Sequence, residues 1–530
     1  MLTRRMLLAA SATTPLAGIA FQAEAATPKG VVVMVKQIDD VLSFDPAEAY
    51  EFTNNEVNGN VYRRLVSFDP ADHSKVVGDL ARSWTISPDG KVFTFTLKTD
   101  AKFPSGKVLT ADDCAFSLQR VVKLNKTPGF IITQFGFTKD NVDGLVVAKD
   151  PTTLVMTLPT AAAPSFVLFC LSAAVGSIVE KATAMEHEVA GDMGNAWLKG
   201  HSAGAGSYQL TEWVASDHIT IDANPNAVVA PHERRISIRH VADPSAQLLM
   251  LQKGDADIAR DLTPDLITKV KAEKVYTVTS TGQGLSMYIA MNQAMPELAH
   301  PEVHQALKWA IDYEAIAKNI TPNQYVVAQG FLPPGFAGAM TDKPFKKDVA
   351  KAKSLLKEAG LPDGFAVTMD YISQAPYGDI AQAIQADLAA IGVKVTLLPG
   401  EQKQVLTKTR ARTHQLATLV WGADYFDPNS NSQGFCENPD DGPDSKLKIL
   451  AWRNHYVDKE LNDMSLAASR ELDGAKRIKM YQDMQVKFAA RAPFVMMLQQ
   501  ISSAVLGKGV TGFVIGPLSD FTKFDDIKKA

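Results

Sequence analysis

The sequence predicts an α/β protein of several domains. Residues 348–397 alternate between helical and strand patterns, with Ile380, Ile384 and Leu388 on one helical face and a glycine after each helix. Such alternation is typical of βαβ layers. The chain has 530 residues, about the length of three domains. Its composition, 46% hydrophobic and 21% charged, excludes a disordered chain, a coiled coil and a disulfide scaffold.

The charge balance argues against a nucleic-acid-binding protein. Lys and Arg number 54 and Asp and Glu number 58, which gives a formal net charge of −4. A dedicated nucleic-acid binder usually has a basic face, and no long Lys/Arg run occurs in this chain. We therefore expect no nucleic-acid partner.

Residues 1–25 have the pattern of a secretory signal peptide. A positive start containing Arg4-Arg5 is followed by an uncharged stretch and an Ala-Glu-Ala ending that suits signal peptidase. The arginine pair also resembles a twin-arginine signal, so both export routes stay open. Because no cysteine precedes Cys114, no lipid can be attached at the cleavage site. We expect an exported, soluble periplasmic protein without a lipid anchor.

One later stretch tests whether the mature chain is soluble. Residues 151–179 carry no charge, but Pro159 and Pro164 interrupt them and only 15 residues follow the second proline. A transmembrane helix needs about 20 apolar residues. The stretch therefore predicts a strand, a turn and a buried helix.

Local patterns predict several elements in order along the chain. Residues 81–97 alternate around a Ser-Pro-Asp-Gly turn and predict a β-hairpin. Thr110 is followed by two acidic residues at the start of a predicted helix. A second helix is predicted to begin after Asp348 and to end at Gly360, and a late one covers residues 478–488.

Catalytic signatures are scarce. No H-E-x-x-H, G-x-S-x-G, Walker A or G-x-G-x-x-G pattern occurs, and residues 204–208 suit a tight turn better than a phosphate loop. His300 and His304 lie four apart at a helix start and either hold a metal or are a solvated pair. Asp424 and Asp427 are either paired carboxylates for acid/base chemistry or exposed turn formers.

The three cysteines do not predict a disulfide framework or a metal site. Cys114 falls on the apolar face of a predicted helix, and Cys170 lies in the uncharged stretch. Cys436 follows a Pro- and Asn-rich segment, and we expect it to be the one that meets solvent.

Many short motifs follow one another along the chain in a fixed order. They are Leu42-Ser43-Phe44-Asp45-Pro46, Asn60-Val61-Tyr62-Arg63-Arg64-Leu65-Val66, Asp79-Leu80-Ala81-Arg82-Ser83-Trp84, Lys102-Phe103-Pro104-Ser105-Gly106, Leu109-Thr110-Ala111-Asp112-Asp113, Gly204-Ala205-Gly206-Ser207-Tyr208, Asp243-Pro244-Ser245-Ala246-Gln247, Leu251-Gln252-Lys253-Gly254-Asp255-Ala256-Asp257 and Ala306-Leu307-Lys308-Trp309-Ala310-Ile311-Asp312. In this order and spacing the chain resembles the family 5 extracellular solute-binding proteins. These are the substrate-binding subunits of peptide-, nickel- and opine-type ABC importers. Two positions depart from the family pattern: Asn226 stands where an aromatic pair usually begins, and His304 stands where members tend to have arginine.

The resemblance implies a two-lobed periplasmic-binding-protein clamshell of type II, with an extra domain inserted in the first lobe. We assign residues 26–57, 203–280 and 500–530 to the first lobe, 58–202 to the extra domain and 281–499 to the second lobe. Ligand is expected to bind between the lobes, which close about a hinge.

The resemblance also points to ligand-binding residues in the segment 421–428. In peptide-binding members a similar W-x-x-D segment provides an aspartate that pairs with the α-ammonium of the ligand, and a carboxylate–ammonium contact is strong and directional. We carry this role to Asp424. Trp421 and Tyr425 are candidate walls of the cleft, with a core position as the alternative for Trp421, and Tyr50 is a further candidate. We identify no Arg or Lys that would hold a ligand carboxylate.

These observations predict a binding subunit without cofactor or catalytic residues. It would capture a small solute, with a short peptide as the first candidate, and deliver it as a monomer to an ABC permease in the inner membrane. Nickel or another metal complex is the alternative ligand, motivated by His300, His304 and 17 methionines. An exported hydrolase acting on a similar solute is the alternative activity.

Overall fold

The computed structural model describes residues 27–69 and 72–530. The predicted signal peptide, residues 1–25, lies outside the described residues. The strands are β1 (Val31–Lys36), β2 (Val66–Asp69), β3 (Asp72–Gly78), β4 (Ala81–Ile86), β5 (Val92–Leu97), β6 (Val146–Asp150), β7 (Thr153–Thr157), β8 (Tyr208–Val214), β9 (His218–Ala223), β10 (Arg235–His240), β11 (Ile258–Ala259), β12 (Thr277–Met291), β13 (Tyr325–Val327), β14 (Ala366–Ile372), β15 (Lys394–Gly400), β16 (Leu416–Gly422), β17 (Phe494–Leu506), β18 (Val510–Thr511) and β19 (Lys528–Lys529).

The α-helices are α1 (Phe52–Val61), α2 (Ala111–Leu124), α3 (Phe130–Thr133), α4 (Val142–Leu145), α5 (Pro164–Ser172), α6 (Lys181–Glu186), α7 (Asn195–Leu198), α8 (Pro244–Lys253), α9 (Pro264–Glu273), α10 (Pro301–Ala310), α11 (Tyr313–Ala315), α12 (Val349–Glu358), α13 (Tyr377–Ala389), α14 (Gln402–Arg410), α15 (Pro428–Cys436), α16 (Leu450–Arg453), α17 (Lys459–Ala468) and α18 (Gly474–Arg491). Short 3₁₀ helices cover Thr127–Gly129, Ala174–Gly176, Pro296–Ala299 and Ser519–Phe521, and Ile316–Ile320 forms a π-helical turn.

A large sheet runs through the molecule. Its strand order is β15-β14-β16-β12-β17-β11-β1-β10-β9-β8, and β13 pairs with β17 outside this order. The pairs β1–β10, β1–β11, β14–β15 and β14–β16 are parallel, and helices supply the crossovers that parallel strands require. The predicted α/β class is confirmed.

The first-lobe end of this sheet is covered on both faces. All six residues of β1 are buried. Val33 and Val35 pack with α8 and α9, while Val32 and Met34 pack with the C-terminal segment and β9 on the other face. A strand buried on both faces has a continuous apolar sequence, which explains the five apolar residues of β1 that precede Lys36.

The second-lobe end has the predicted helix–strand layers. Asp348 caps α12 by accepting the backbone N–H of Lys351 at 2.9 Å. Ile380, Ile384 and Leu388 are fully buried on α13, against the parallel pair β14 and β15. The helical spacing read from the sequence is therefore confirmed.

The extra domain has its own four-stranded sheet, in the order β4-β5-β7-β6. The predicted hairpin is β4 and β5, and the uncharged stretch forms β7 and the buried helix α5, as expected. Across residues 27–69 and 72–530, no helix is both long and apolar enough to span a membrane.

A buried charge pair and a side-chain hydrogen bond join the predicted extra domain to its neighbours. Arg120 on α2 donates to both carboxylate oxygens of Asp45, at 2.6 and 2.5 Å, and both side chains are almost fully buried. Arg477 on α18 donates to Ser165 at 2.9 Å. The domain boundaries themselves stay a prediction.

Residues 204–208 form a close backbone contact and continue into β8. A Cβ atom on Gly206 would come within 2.3 Å of the carbonyl oxygen of Asn60 at the end of α1. A side chain does not fit there, which explains the glycine. The backbone bends at Gly206 and Ser207, and the Gly206 N–H donates to the carbonyl of Val61 at 2.9 Å rather than closing a turn within the segment.

The strands β12 and β17 are the long elements that pass between the lobes. Their pairing is interrupted between Gly282 and Ser286. In the gap, the Gln499 side chain donates to the carbonyl of Gln283 at 3.0 Å. The Gly284 N–H donates to the carbonyl of Pro517 at 2.9 Å, so the segment leaves the β17 ladder here, and it adjoins the cavity described next.

Candidate ligand-binding cavity

A cavity of about 560 Å³ lies where the predicted lobes and extra domain meet. It is lined by Tyr50 and Arg260 of the predicted first lobe, Asp424 of the predicted second lobe and Val175 of the predicted extra domain, while Gln283 comes from the irregular segment of β12. Apolar side chains from all three parts complete the wall. The volume is within the range of small-molecule sites, and the wall combines apolar side chains with many polar and charged ones.

Two of the predicted ligand-binding residues meet in this cavity across the lobes. The hydroxyl of Tyr50, in the loop before α1, donates to the Oδ1 carboxylate oxygen of Asp424 at 2.5 Å. Asp424 follows β16, and its backbone N–H donates to the hydroxyl of Ser430 at 3.0 Å, which fixes the turn. The two residues are 374 positions apart, so only the fold brings them together.

Burial raises the pKa of Asp424 to about 6, although the hydrogen bond from Tyr50 acts to lower it. Burial and the Asp424 charge raise the pKa of Tyr50. Tyr50 therefore stays protonated and donates. The carboxylate is half-buried and has one neutral donor, so a cation in the cavity would stabilise its ionised form.

Sequence reasoning missed a cluster of charges among the residues that α1, β1 and the end of β11 contribute to the cavity. Glu56 on α1 binds Lys36 at the end of β1, with 2.8 Å between Nζ and Oε2, and its other oxygen binds Nη1 of Arg260. All three side chains line the cavity. The sequence signal that could have indicated this cluster is Lys36, a charged residue at the end of an otherwise apolar strand.

The sequence comparison decides the family. The family model described as bacterial extracellular solute-binding proteins, family 5 middle, matches residues 75–443, which is more than half of the chain. The chain belongs to this family. It is therefore a solute-binding protein of the class that serves ABC importers, as the resemblance predicted.

Curated relatives span the whole of this solute-binding protein. A probable D,D-dipeptide-binding periplasmic protein, DdpA of Escherichia coli K12, is 28% identical over 94% of this chain and 93% of its own length. The glutathione-binding protein GsiB of Salmonella typhimurium is 26% identical over 99% and 98%.

Solved structures show the same fold. The DppA protein of Helicobacter pylori in complex with the peptide STSA has a TM-score of 0.76 and 24% identity, covering 94% of this chain and 98% of its own. HbpA2 of Haemophilus parasuis has a TM-score of 0.78 and 24% identity, covering 94% and 100%. The predicted clamshell is confirmed.

Trp421 and Tyr425 pack into the solute-binding protein rather than among the described residues that line the cavity. Trp421, half-buried on β16, donates from Nε1 to Asn431 at 3.2 Å and packs edge-on to Phe435. Tyr425 is 1% exposed, and its ring centroid lies 5.6 Å from that of Phe166 in the extra domain. Their contact with a ligand stays a prediction.

The second carboxylate of the Asp424-Tyr425-Phe426-Asp427 segment has a structural partner. Asp427 caps α15, is fully buried and receives two hydrogen bonds from Arg477, at 2.6 and 2.7 Å. The expectation of an exposed turn former is wrong for this residue. The capping helix places it in the core, where a charge needs a partner.

The two candidate metal ligands, His300 and His304, lie in different environments. His300 is exposed at the start of α10, but His304 is buried, with its ring nitrogens 2.6 Å from the carbonyl of Leu298 and 3.2 Å from that of Arg491. The interpretation of a solvated histidine is therefore wrong for His304. Burial lowers the pKa of this side chain to about 4. Within the described ranges, no three His, Cys, Asp or Glu side chains are grouped to hold a metal.

The cysteines are free and buried. The expectation that Cys436 meets solvent is wrong. It is the last residue of α15 and packs with Phe435 in a cluster around Phe494 and Tyr288. The polar residues before it belong to a buried helix that Asp427 caps, so composition alone misidentified a loop.

Proposed function

We propose that this protein captures a short peptide with a free α-ammonium group and delivers it to an ABC permease. The observation that carries the proposal is Asp424, which lines the cavity with a raised pKa and a hydrogen bond from Tyr50. Within the described part of the chain, no Lys, Arg or His forms a salt bridge with this carboxylate, whose side-chain partner is Tyr50. An α-ammonium group would supply the missing cation.

The position of Asp424 also suits lobe closure. Its partner Tyr50 belongs to the first lobe, so an ammonium group bound at Asp424 lies beside residues of both lobes. A ligand favours a closed state only by the additional contacts that it makes there. Binding at this pair supplies such contacts.

The relatives support a peptide-like ligand. The name of DdpA gives a D,D-dipeptide and that of GsiB gives glutathione. Both ligands have an α-ammonium group and a carboxylate. We extend this chemical class to the present protein, together with a periplasmic location, a monomeric state and an inner-membrane permease as partner.

Isothermal titration calorimetry with L-alanyl-L-alanine, D-alanyl-D-alanine, glutathione and a tetrapeptide tests the proposal. A free peptide should bind, and its N-acetylated form should bind about 10- to 100-fold more weakly, the effect of one charged hydrogen bond. Asp424→Asn should weaken binding of the free peptide by a similar factor and bind both forms alike.

Asp483→Asn is the matched control, because Asp483 is an exposed carboxylate in the same lobe that pairs with Lys479 on α18. It should leave affinity unchanged. Equal binding of free and acetylated peptide would contradict the proposal. Mass spectrometry of the recovered peptide tests the hydrolase alternative, since a binding protein returns it intact. Titration with a nickel–histidine complex tests the metal alternative.

A further inference from the structure

The charge cluster on the first-lobe wall has an unusual balance. Glu56 is one acid between two bases, and the side chains of Glu56, Arg260 and Lys36 are 4, 8 and 9% exposed. Burial would raise the pKa of Glu56, but Arg260 and Lys36 outweigh this effect and hold it below the usual value. With Glu56 ionised, the cluster keeps one positive charge that faces the cavity.

The guanidinium of Arg260 has hydrogen-bond donors left over. Nη1 donates to Glu56 and, more weakly, to Sδ of Met34 at 3.8 Å, and the ring of Phe513 covers the group at 5.1 Å from Cζ. Nε is buried without a partner, and Nη2 makes no hydrogen bond within the described residues. A guanidinium with open donors in a cavity suits a carboxylate, which accepts from it in a fixed geometry.

The backbone holds Arg260 firmly in this place. Its N–H donates to the carbonyl of Val35 at 3.2 Å and lies 3.3 Å from Oε1 of Gln247, directly after β11. Glu56 and the Phe513 ring restrict the side chain. Such a preorganised cation binds an anion at a low cost in side-chain entropy.

We propose that Arg260 binds the carboxylate of the ligand, with Glu56 as its positioning residue, so that the protein selects solutes carrying both a free ammonium and a free carboxylate group. This assignment rests on the proposed function, because it describes the second end of the ligand that Asp424 holds. Each lobe then contributes one charged contact, the anionic one from the second lobe and the cationic one from the first.

The test compares each alanine dipeptide with its C-terminal amide, by calorimetry, on the full mature protein. The wild type should bind the free acid about 10- to 100-fold more tightly than the amide. Arg260→Gln should lose most of this preference while its affinity for the amide changes little. Arg260→Lys, which keeps the charge but loses the planar fork, should retain part of it.

Arg239→Gln is the matched control, since Arg239 is an exposed arginine of the same lobe on β10. It should keep the full preference. Thermal melting confirms that each variant folds, and the acid–amide comparison in the wild type needs no variant.

Two results overturn the assignment alone: equal binding of acid and amide by the wild type, or an unchanged preference in Arg260→Gln. Both leave the proposed function standing if acetylation of the amino group still weakens binding. If no free peptide binds, the proposed function fails and the assignment fails with it.

Discussion

Lowering the pH from 7 to 5 should weaken peptide binding through Asp424. Burial raises the pKa of this carboxyl to about 6 in the ligand-free protein. Only the ionised form pairs with an ammonium group. The peptide itself stays zwitterionic over this range, because its carboxyl titrates near pH 3.5 and its amine near pH 8, both approximate values. The protein therefore determines the pH dependence.

The magnitude follows from the fraction of Asp424 that is ionised. At pH 5, one unit below its pKa, about one-eleventh of the molecules carry the charge, so the apparent Kd should rise about tenfold relative to pH 7. Near pH 6 about half of the molecules are protonated. Since the bound ammonium lowers the pKa, each binding event there should release about half a proton.

Calorimetry at pH 5, 6 and 7 measures both quantities, with the proton release taken from buffers of different ionisation enthalpy. Glu51 also lines the cavity, and burial followed by the charge of Asp40 raises its pKa, so Asp424→Asn is the necessary comparison. That variant should bind weakly with a flat profile. A wild-type Kd that is equal at pH 5 and 7, or the same slope in the variant, would refute the reasoning.

Three further predictions concern stability and reactivity. Asp424→Asn should raise the free energy of unfolding of the ligand-free protein at pH 8 by about 1–3 kcal/mol, as measured by urea denaturation. The reason is that the pKa of Asp424 is higher in the folded than in the unfolded protein, so its ionised carboxylate destabilises the fold at a pH above both values. Arg477→Ala leaves Asp427 buried without its ion-pair partner and should lower the free energy of unfolding by about 3–5 kcal/mol. Lys479→Ala, which removes an exposed ion pair, should lower it by less than about 1 kcal/mol. Equal losses in the two variants would contradict the role of the buried pair. The three thiols should resist Ellman's reagent until the protein is unfolded, and one fast-reacting thiol in the native protein would contradict their burial.

Sequence periodicity predicted the elements well where a local pattern decides the structure. The hairpin of β4 and β5, the capped helix α12 and the layers β14-α13-β15 each depend on signals within one short continuous stretch of the chain. Family motifs supplied the clamshell, which local patterns do not specify. The pairing of β1 with β10, whose partner residues lie 204 positions apart, is an example.

The site was only partly predictable because its contacts are long-range. Tyr50 and Asp424 were both candidates, but the hydrogen bond between them depends on how the lobes meet. The role of Arg260 depends on Glu56, which lies 204 positions earlier, and on the surplus of charge that Lys36 creates. A single arginine in the sequence carries no sign of such neighbours.

The arrangement of opposite charges on the two walls connects specificity with closure. Moving a two-state equilibrium from 1:99 to 99:1 takes about 5.5 kcal/mol of differential binding. One charge-assisted hydrogen bond supplies about 1.5–3 kcal/mol. A zwitterionic ligand held by Asp424 or Arg260 in the open state gains the other contact on closure, and the remaining free energy comes from the rest of the cavity wall. A solute with one charged end gains no second charged contact on closure. On this account, the two contacts that select a zwitterionic peptide are the same ones that hold the lobes closed around it.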